Sequence, residues 1–462
     1  MSCAITDINP ASFHDPSGFI FTYENEIYRA IAPSYFENFS LLTKSELYKT
    51  LISKKLIVEH SEREFFLPGE YSTYKIIKPE KIPFISYPYE WCFSQLKDAA
   101  LLTLIIQKEA LKYGMLLKDA SAYNIQFIGA KPIFIDTLSF EKYEEGKPWI
   151  AYRQFCQHFL SPLALMHYKS TELSKLSINF IDGIPLELAS SLLPKRSYLN
   201  SGIASHVHIH AKIQEKITKQ KKSERKIALS KKQLLNIVEH LIDTISSLKL
   251  KTNKSHWNKY ASENTYSVKA KEAKSKIIFD WLLSVKPKTI FDVGCNTGDY
   301  TLQASKLCDY IVAIDSDHQC IESFYNSLSG ANTKNILPLI VDLANPTPAI
   351  GWANEERKTI SQRGKADVLL ALAFIHHLRI RNNIPFHLIA NYFSEITHHL
   401  IIEYIPKDDR MVKEMIAGRE DIFADYTQGN FTSAFEKYFL IKKNHSLPDS
   451  GRMLFLMTKK IL

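Results

Sequence analysis

Apolar and polar positions follow two periods along this chain. Phe19-Ile20-Phe21-Thr22-Tyr23 and Ile27-Tyr28-Arg29-Ala30-Ile31 flank the polar Glu24-Asn25-Glu26, which predicts a β-hairpin. From Ser40 to Lys55 the residues Leu41, Leu42, Leu47, Leu51 and Ile52 share one helical face, with Ser40 or Thr43 as caps. Residues 65–77 read as extended. The stretch from Trp91 to Tyr113 is apolar nearly all round, predicting a long buried helix that stops at Gly114. Two short strands, 125–128 and 132–135, flank the turn Gly129-Ala130-Lys131. Residues 149–212 carry helical patterns broken at Pro185 and Pro194, and 232–248 is an amphipathic helix expected to bridge the two halves.

Past Trp257 the pattern changes. A helix from Val268 to Val285 leads into a turn at Pro287, and apolar runs then alternate with amphipathic segments. Strands are expected from Thr289, over 310–315, 336–341, 367–372 and 400–405, with 439–442 and 453–457 as a closing antiparallel pair. Strand alternating with helix predicts an α/β domain with a mostly parallel sheet of seven strands covered on both faces. A chain of 462 residues is too long for one core. The expected division is an α+β domain at 1–212, a basic helical linker at 213–256 and the α/β domain at 257–462.

Composition narrows the class. At 45 % hydrophobic and 12 % aromatic residues the chain can build sizeable cores, yet no apolar run approaches a membrane span. The opening M-S-C-A-I-T-D-I-N-P has neither a basic start nor an apolar h-region, so no secretory signal is expected. Six cysteines are scattered without C-x-x-C pairs, which favours the cytoplasm and argues against a structural zinc site. The net charge of +9 is concentrated in Glu215–Lys232, with eight basic and two acidic residues; a solvated face explains that run better than a nucleic-acid contact. His206, His208 and His210 alternate in S-H-V-H-I-H. Only His206 and His210 would share a helical face, and no acid or thiol completes a set, so an ordinary helix surface is expected there and no metal.

The chemistry concentrates at T-I-F-D-V-G-C-N-T-G-D-Y, residues 289–300. An apolar strand runs into Gly294-Cys295-Asn296-Thr297-Gly298 and then an amphipathic helix, a turn whose glycines let a ligand approach closely. The glycines stand four apart with Asp292 before the first. A carboxylate at that mouth suits a ligand with a positive group, such as the ammonium of S-adenosylmethionine, better than a phosphate. Asp315 ends the second strand, placed to accept both ribose hydroxyls, with Asp317 in reserve.

D-V-G-C-N-T-G resembles motif I of the class I methyltransferases, usually (D/E)-x-G-x-G-x-G, with Asn296 in place of a glycine. Residues 257–460 further resemble the nodulation-protein-like class I methyltransferases, through W-x-x-Y, V-D-L-A-N-P-T-P-A-I-G-W-A-N-E-E-R, L-A-L-A-F-I-H-H-L and I-I-E-Y-I-P-K-D-D. Y-P-Y-E-W-C-F-S and L-K-D-A-S-A-Y-N in the N-terminal half are similar to the companion region of those proteins. The resemblance implies a Rossmann-like sheet, S-adenosyl-L-methionine as cofactor, and Asp342 as acceptor for the adenine amine. Asn345-Pro346-Thr347-Pro348 is similar to the N-P-P-Y of amino-methyltransferases. It follows the third strand rather than the fourth and lacks the stacking aromatic, so 345–351 reads as a turn delivering Trp352 and Arg357 near the cleft. His376 and His377, after the fourth strand, and Glu403, ending the fifth, are the candidate bases.

In the N-terminal half, Asp119, Asn124 and Asp136 resemble the catalytic loop and metal-binding strand of protein-kinase-like and aminoglycoside-phosphotransferase-like folds. That resemblance implies ATP and Mg²⁺ held by Asn124 and Asp136, with Asp119 orienting a hydroxyl. No G-x-G-x-x-G precedes Asp119, and Lys75 and Arg29 compete for the phosphate-binding position. The functional expectation is a methyltransferase with a kinase-like N-terminal module and an unidentified acceptor. The alternatives are a bifunctional protein whose first lobe transfers phosphate, and an N-terminal arm that recruits a large acceptor.

Overall fold

The computed structural model describes residues 7–64, 67, 72–220, 228–250, 267–329, 333–418 and 420–461, with 7, 217–220 and 329 by backbone alone. Trp257, Tyr260, Tyr266 and Cys3, and the centre of the basic run, lie outside the described residues. The chain divides into two compact units, the first comprising 1–127, 131–251 and 349–357, the second 128–130, 252–348 and 358–462.

In the first unit the expected hairpin is β2 (Gly18–Tyr23) and β3 (Glu26–Ile31), with Glu24 and Asn25 both at positive φ. With β1 (Asp7–Ile8), β4 (His60–Arg63) and β5 (Lys75–Pro79) it forms an antiparallel sheet in the order β1-β2-β3-β5-β4. The helix expected over 40–55 is two helices, Phe36–Lys44 and Leu47–Ser53. Glu46 between them is left-handed at φ 65°, an offset that lets Phe39, Leu42, Leu47 and Leu51 all face the core. Helix Phe93–Lys112 is the long buried one, and Gly114 follows at φ 71°. Beyond it come a two-stranded ribbon, β6 (Met115–Leu117) with β9 (Phe140–Lys142), and the hairpin β7 (Ile125–Ile128) with β8 (Lys131–Phe134).

Helix Lys231–Ser247, expected to bridge the halves, packs within the first unit. Its apolar stripe Leu234, Val238, Leu241 and Ile245 is buried, and Lys97 donates to the carbonyls of Ser246 and Leu248 at its end, each at 2.8 Å. The histidine triplet also departs from expectation. Residues Ala204–Ile209 wind as a π-helical turn, which turns His206 and His208 inward instead of onto a surface. His206 bonds Tyr152 Oη at 2.6 Å and His240 Nδ1 at 2.9 Å, while His208 sits between the hydroxyls of Ser190 and Ser197 and stacks on Tyr198.

Such histidines make stability depend on pH. Burial pulls His206 and His60 down to about 4 and His158 to about 3. Their folded values lie below the unfolded value near 6.5, so their contribution is complete above about pH 6.5 and is lost as pH falls toward 4. The thermal midpoint is therefore expected to drop steeply between pH 6.5 and 4, and less so in His206→Gln; a flat midpoint across that window would contradict this.

In the second unit, β10 (Thr289–Val293), β11 (Tyr310–Asp315), β12 (Ile336–Ile340), β13 (Ala366–Ala371), β14 (Thr397–Tyr404), β15 (Phe439–Ser446) and β16 (Met453–Lys459) form the expected seven-stranded sheet. The order is β12-β11-β10-β13-β14-β16-β15, with β16 antiparallel to both neighbours and the others parallel. The central strands are apolar on both faces because helices cover both sides. Register aligns their carboxyl ends: Asp292 lies opposite Ala313 and Leu370, and Asp315 opposite Ile340. Among the described residues no helix is long and apolar enough to cross a membrane.

Candidate cofactor and active site

After Val293 the chain passes through three left-handed positions, Gly294 at φ 71°, Asn296 at φ 51° and Gly298 at φ 87°. The amides of Gly294 and Cys295 both donate to the Ile314 carbonyl, at 2.8 and 3.1 Å, which ties the loop to β11. Asn296 replaces a motif glycine at a conformation that asparagine, of all larger residues, tolerates best. A Cβ on Gly294 would come within 2.7 Å of the Phe374 ring, and one on Gly298 within 2.2 Å of Phe324. Gly298 thus serves the packing of its helix and does not line the cavity beside the loop.

That cavity, of about 300 Å³, belongs to the second unit. Asp292, Gly294, Cys295, Asn296, Thr297, Asp315 and Asp342 all line it, the whole set expected to bind cofactor apart from Gly298. Asp292 is buried and accepts from Thr301 Oγ1 at 2.5 Å; burial pushes its carboxyl up to about 6. Asp315 accepts from the amides of Asn296 at 2.8 Å and Asp317 at 2.9 Å, so it fixes the glycine loop as well as facing the cavity. Its carboxyl is raised by burial, against which those amides act. Asp342 is exposed and accepts from Ala344 N at 2.9 Å.

The candidate bases separate. His377 is half-buried and lines the cavity; burial first, and then the charge of Arg381, bring it to about 4, so its ring is neutral at pH 7. His376 is fully buried, does not line the cavity, and neither ring nitrogen finds a hydrogen-bond partner among the described residues. Glu403 is corrected from a base to a clamp. It is fully buried and does not line the cavity, its Oε2 2.7 Å from Lys274 Nζ and accepting from Ala373 N at 2.8 Å, with Arg452 3.7 Å from Oε1. Lys274 and Ala373 both line the cavity, so one carboxylate holds two of its walls.

Lys274 is the residue that sequence reasoning missed. Its ammonium also lies 4.6 Å over the Tyr300 ring, itself part of the wall. The signal was present: Ala270, Lys274, Ile278, Trp281 and Leu282 form the buried stripe of helix Val268–Val285, and a lysine in an apolar stripe needs a buried partner.

Trp352 and Arg357 are not among the residues that line this cavity. Residues 349–357 group with the first unit, where Ile350 and Arg357 bridge a tight loop that leaves Trp352 77 % exposed. The Arg357 guanidinium lies 4.0 Å over the ring of Tyr123.

Asp119, Asn124 and Asp136 do come together in the first unit. Asp136 is buried; its oxygens accept from Leu138 N at 2.9 Å and Ser139 Oγ at 2.6 Å and pair with Arg29, while Asn124 Nδ2 donates to Ser139 at 3.1 Å. Asp119 caps the following turn through Ser121 N at 2.9 Å, and its carboxyl is raised by burial and then by Asp136. Of the two basic candidates it is Arg29 that meets Asp136; Lys75 pairs with Glu62 at 2.7 Å. Among the described residues no group of three His, Cys, Asp or Glu side chains is arranged to hold a metal.

No protein-family model matches this chain. It is similar in fold comparison to the N-methyltransferase NodS from Bradyrhizobium japonicum WM9 in complex with S-adenosyl-l-homocysteine, at 10 % identity and a TM-score of 0.32 over 46 % of this chain and 94 % of that one. Magnesium protoporphyrin IX methyltransferase (ChlM) from Synechocystis PCC 6803 with bound SAM gives 12 % identity and 0.31 over 45 % and 93 %. In sequence it is 34 % identical over 452 residues to nodulation protein NoeA of Rhizobium meliloti (strain 1021), covering 96 % of this chain and 94 % of the relative. At that identity and coverage, the chain belongs to the family of nodulation protein NoeA.

Proposed function

We propose that this protein is a methyltransferase that uses S-adenosyl-L-methionine, with the donor in the cavity of the second unit. The observation that carries this reading is the meeting of Asp292, Gly294, Asp315 and Asp342 on one cavity at the carboxyl edge of a parallel sheet. The residues fit the group: a cradle that a Cβ would obstruct, one buried acid and one buried lysine for an amino-acid end, and further acids for a sugar and a base. Asp292 would take the ammonium, Lys274 the carboxylate, Asp315 the ribose hydroxyls and Asp342 the adenine amine. When bound, the sulfonium supplies an electrophilic methyl group.

The chain's own work is alignment and handling of one proton. His377, neutral and on the cavity, accepts a hydrogen bond from the nucleophile and then its proton; His376 holds its neighbour's ring in place at 4.3 Å between centroids. A search of host-cell lysate with methyl-labelled donor tests the function. A labelled product that Asp315→Ala fails to make supports it, and the same labelling by both proteins counts against it.

The acid at 292 gives binding a pH dependence. A cationic ligand prefers the carboxylate, so affinity for S-adenosylhomocysteine is expected to weaken by about tenfold per unit below pH 6, where Asp292 protonates. Calorimetry between pH 5 and 7 reads this, and Asp292→Asn should flatten the profile.

A second reading, phosphate transfer from ATP with Mg²⁺ by the first unit, draws on the convergence of Asp119, Asn124 and Asp136. Arg29 occupies Asp136, so a metal would have to displace it. Mg-ATP that raises the melting point of Arg29→Ala but not of Arg29→Ala/Asp136→Ala would favour this reading.

A further inference from the structure

Matching the donor to Asp292, Lys274, Asp315 and Asp342 leaves one charged side chain of the cavity without a task. Arg381 lines it and is exposed. Every other charged lining residue has a partner: Lys271 pairs with Asp299 at 3.4 Å, Lys274 with Glu403, and Asp292, Asp315 and Asp342 accept the hydrogen bonds described above. Arg381 makes no hydrogen bond or ion pair with another described residue. It ends the π-helical turn His377–Arg381, so the turn brings the guanidinium and the His377 imidazole to the same cavity. Asn382 Nδ2 fixes the end of that turn by donating to the His377 carbonyl at 3.1 Å.

A guanidinium presents a planar fork of donors that matches a carboxylate or a phosphate. We propose that the methyl acceptor carries a carboxylate or phosphate group which Arg381 binds, leaving the nucleophilic atom beside His377. This rests on the methyltransferase reading above. It also links binding to proton transfer. Among the groups set against the His377 ring are Arg381 and the neutral His376, and the Arg381 charge is one of the two causes that lower its proton affinity. An anion on Arg381 offsets that charge, so His377 becomes a stronger base only when an acceptor is present.

The test uses the full chain labelled with ¹⁵N-histidine and saturated with S-adenosylhomocysteine, titrated with inorganic phosphate in one arm and acetate in the other. The His377 ring signals, assigned with His377→Gln, are followed against pH. Saturable binding of at least one anion is expected, with the His377 midpoint moving up from about 4. Arg381→Gln should weaken that binding at least tenfold and abolish the midpoint shift, and Arg381→Lys should restore part of both. The arm that saturates at lower concentration identifies the group. Absence of saturable binding, or equal affinity in Arg381→Gln, overturns the proposal while S-adenosylhomocysteine still binds. Failure of S-adenosylhomocysteine to bind the wild type overturns the methyltransferase reading itself, and this inference with it.

Discussion

Glu403→Ala is expected to destabilise the second unit by about 3–5 kcal/mol, the cost of removing one partner from a buried ion pair. Glu403 is fully buried, and the Lys274 side chain it holds is 2 % exposed. Truncation takes the 2.7 Å carboxylate partner from that buried ammonium and frees the amide of Ala373, a non-glycine residue held at φ 50°. Arg452 suffers less, because it keeps Asp409 at 2.8 Å. Burial already lowers the proton affinity of Lys274, and Glu403 is what opposes this. Pairing Glu403→Ala with Lys274→Met should therefore recover part of the loss, since the buried ammonium goes with its carboxylate. Chemical denaturation of the two single variants and the double variant measures the coupling. A single variant within about 1 kcal/mol of wild type would show that the clamp bears little weight.

The second large effect concerns binding. Gly294→Arg is expected to weaken S-adenosylhomocysteine binding at least about 100-fold, or roughly 2.7 kcal/mol. Two causes add. A left-handed position at φ 71° costs any side chain about 1–2 kcal/mol, and the new Cβ would meet Phe374 at 2.7 Å while the rest of the side chain fills the cavity. Gly114→Ala separates them, for it also sits at φ 71° but has open space around its Cβ. That control should lower stability without touching affinity. Near-equal affinity of Gly294→Arg and wild type would place the ligand elsewhere.

The second unit was legible because its central strands are buried on both faces. Such strands read as unbroken apolar runs, and the residues just past them fall at one sheet edge wherever the helices lie. Asp292 and Asp315, in the last residues of their strands, needed only that logic, whereas the role of Asp342 came from the resemblance to the class I methyltransferases. Residues that enter the cavity from helices did not follow from it: Lys274 sits in a helix rich in lysine, K-A-K-E-A-K-S-K, where only its register with Ala270 and Ile278 sets it apart. Arg381 and the inward turn of His206 and His208 depend on π-helical winding, which a period of 3.6 residues does not signal. His376 and Glu403 look catalytic as residue types at strand ends. Their burial is a tertiary fact, and Glu403 meets Lys274 and Arg452 arriving from distant parts of the chain. In the first unit the hairpin and the long helix were plain from their periods, whereas the Arg29–Asp136 pair spans 107 residues and has no local trace.

Isothermal titration of the full chain with S-adenosylmethionine, beside Asp315→Ala, bears most directly on the reading of the cavity. One equivalent is predicted to bind the wild type, and Asp315→Ala, which loses both the sugar contact and the Asn296 amide, is predicted to bind far more weakly. No heat from the wild type, or the same isotherm from both proteins, would contradict the account.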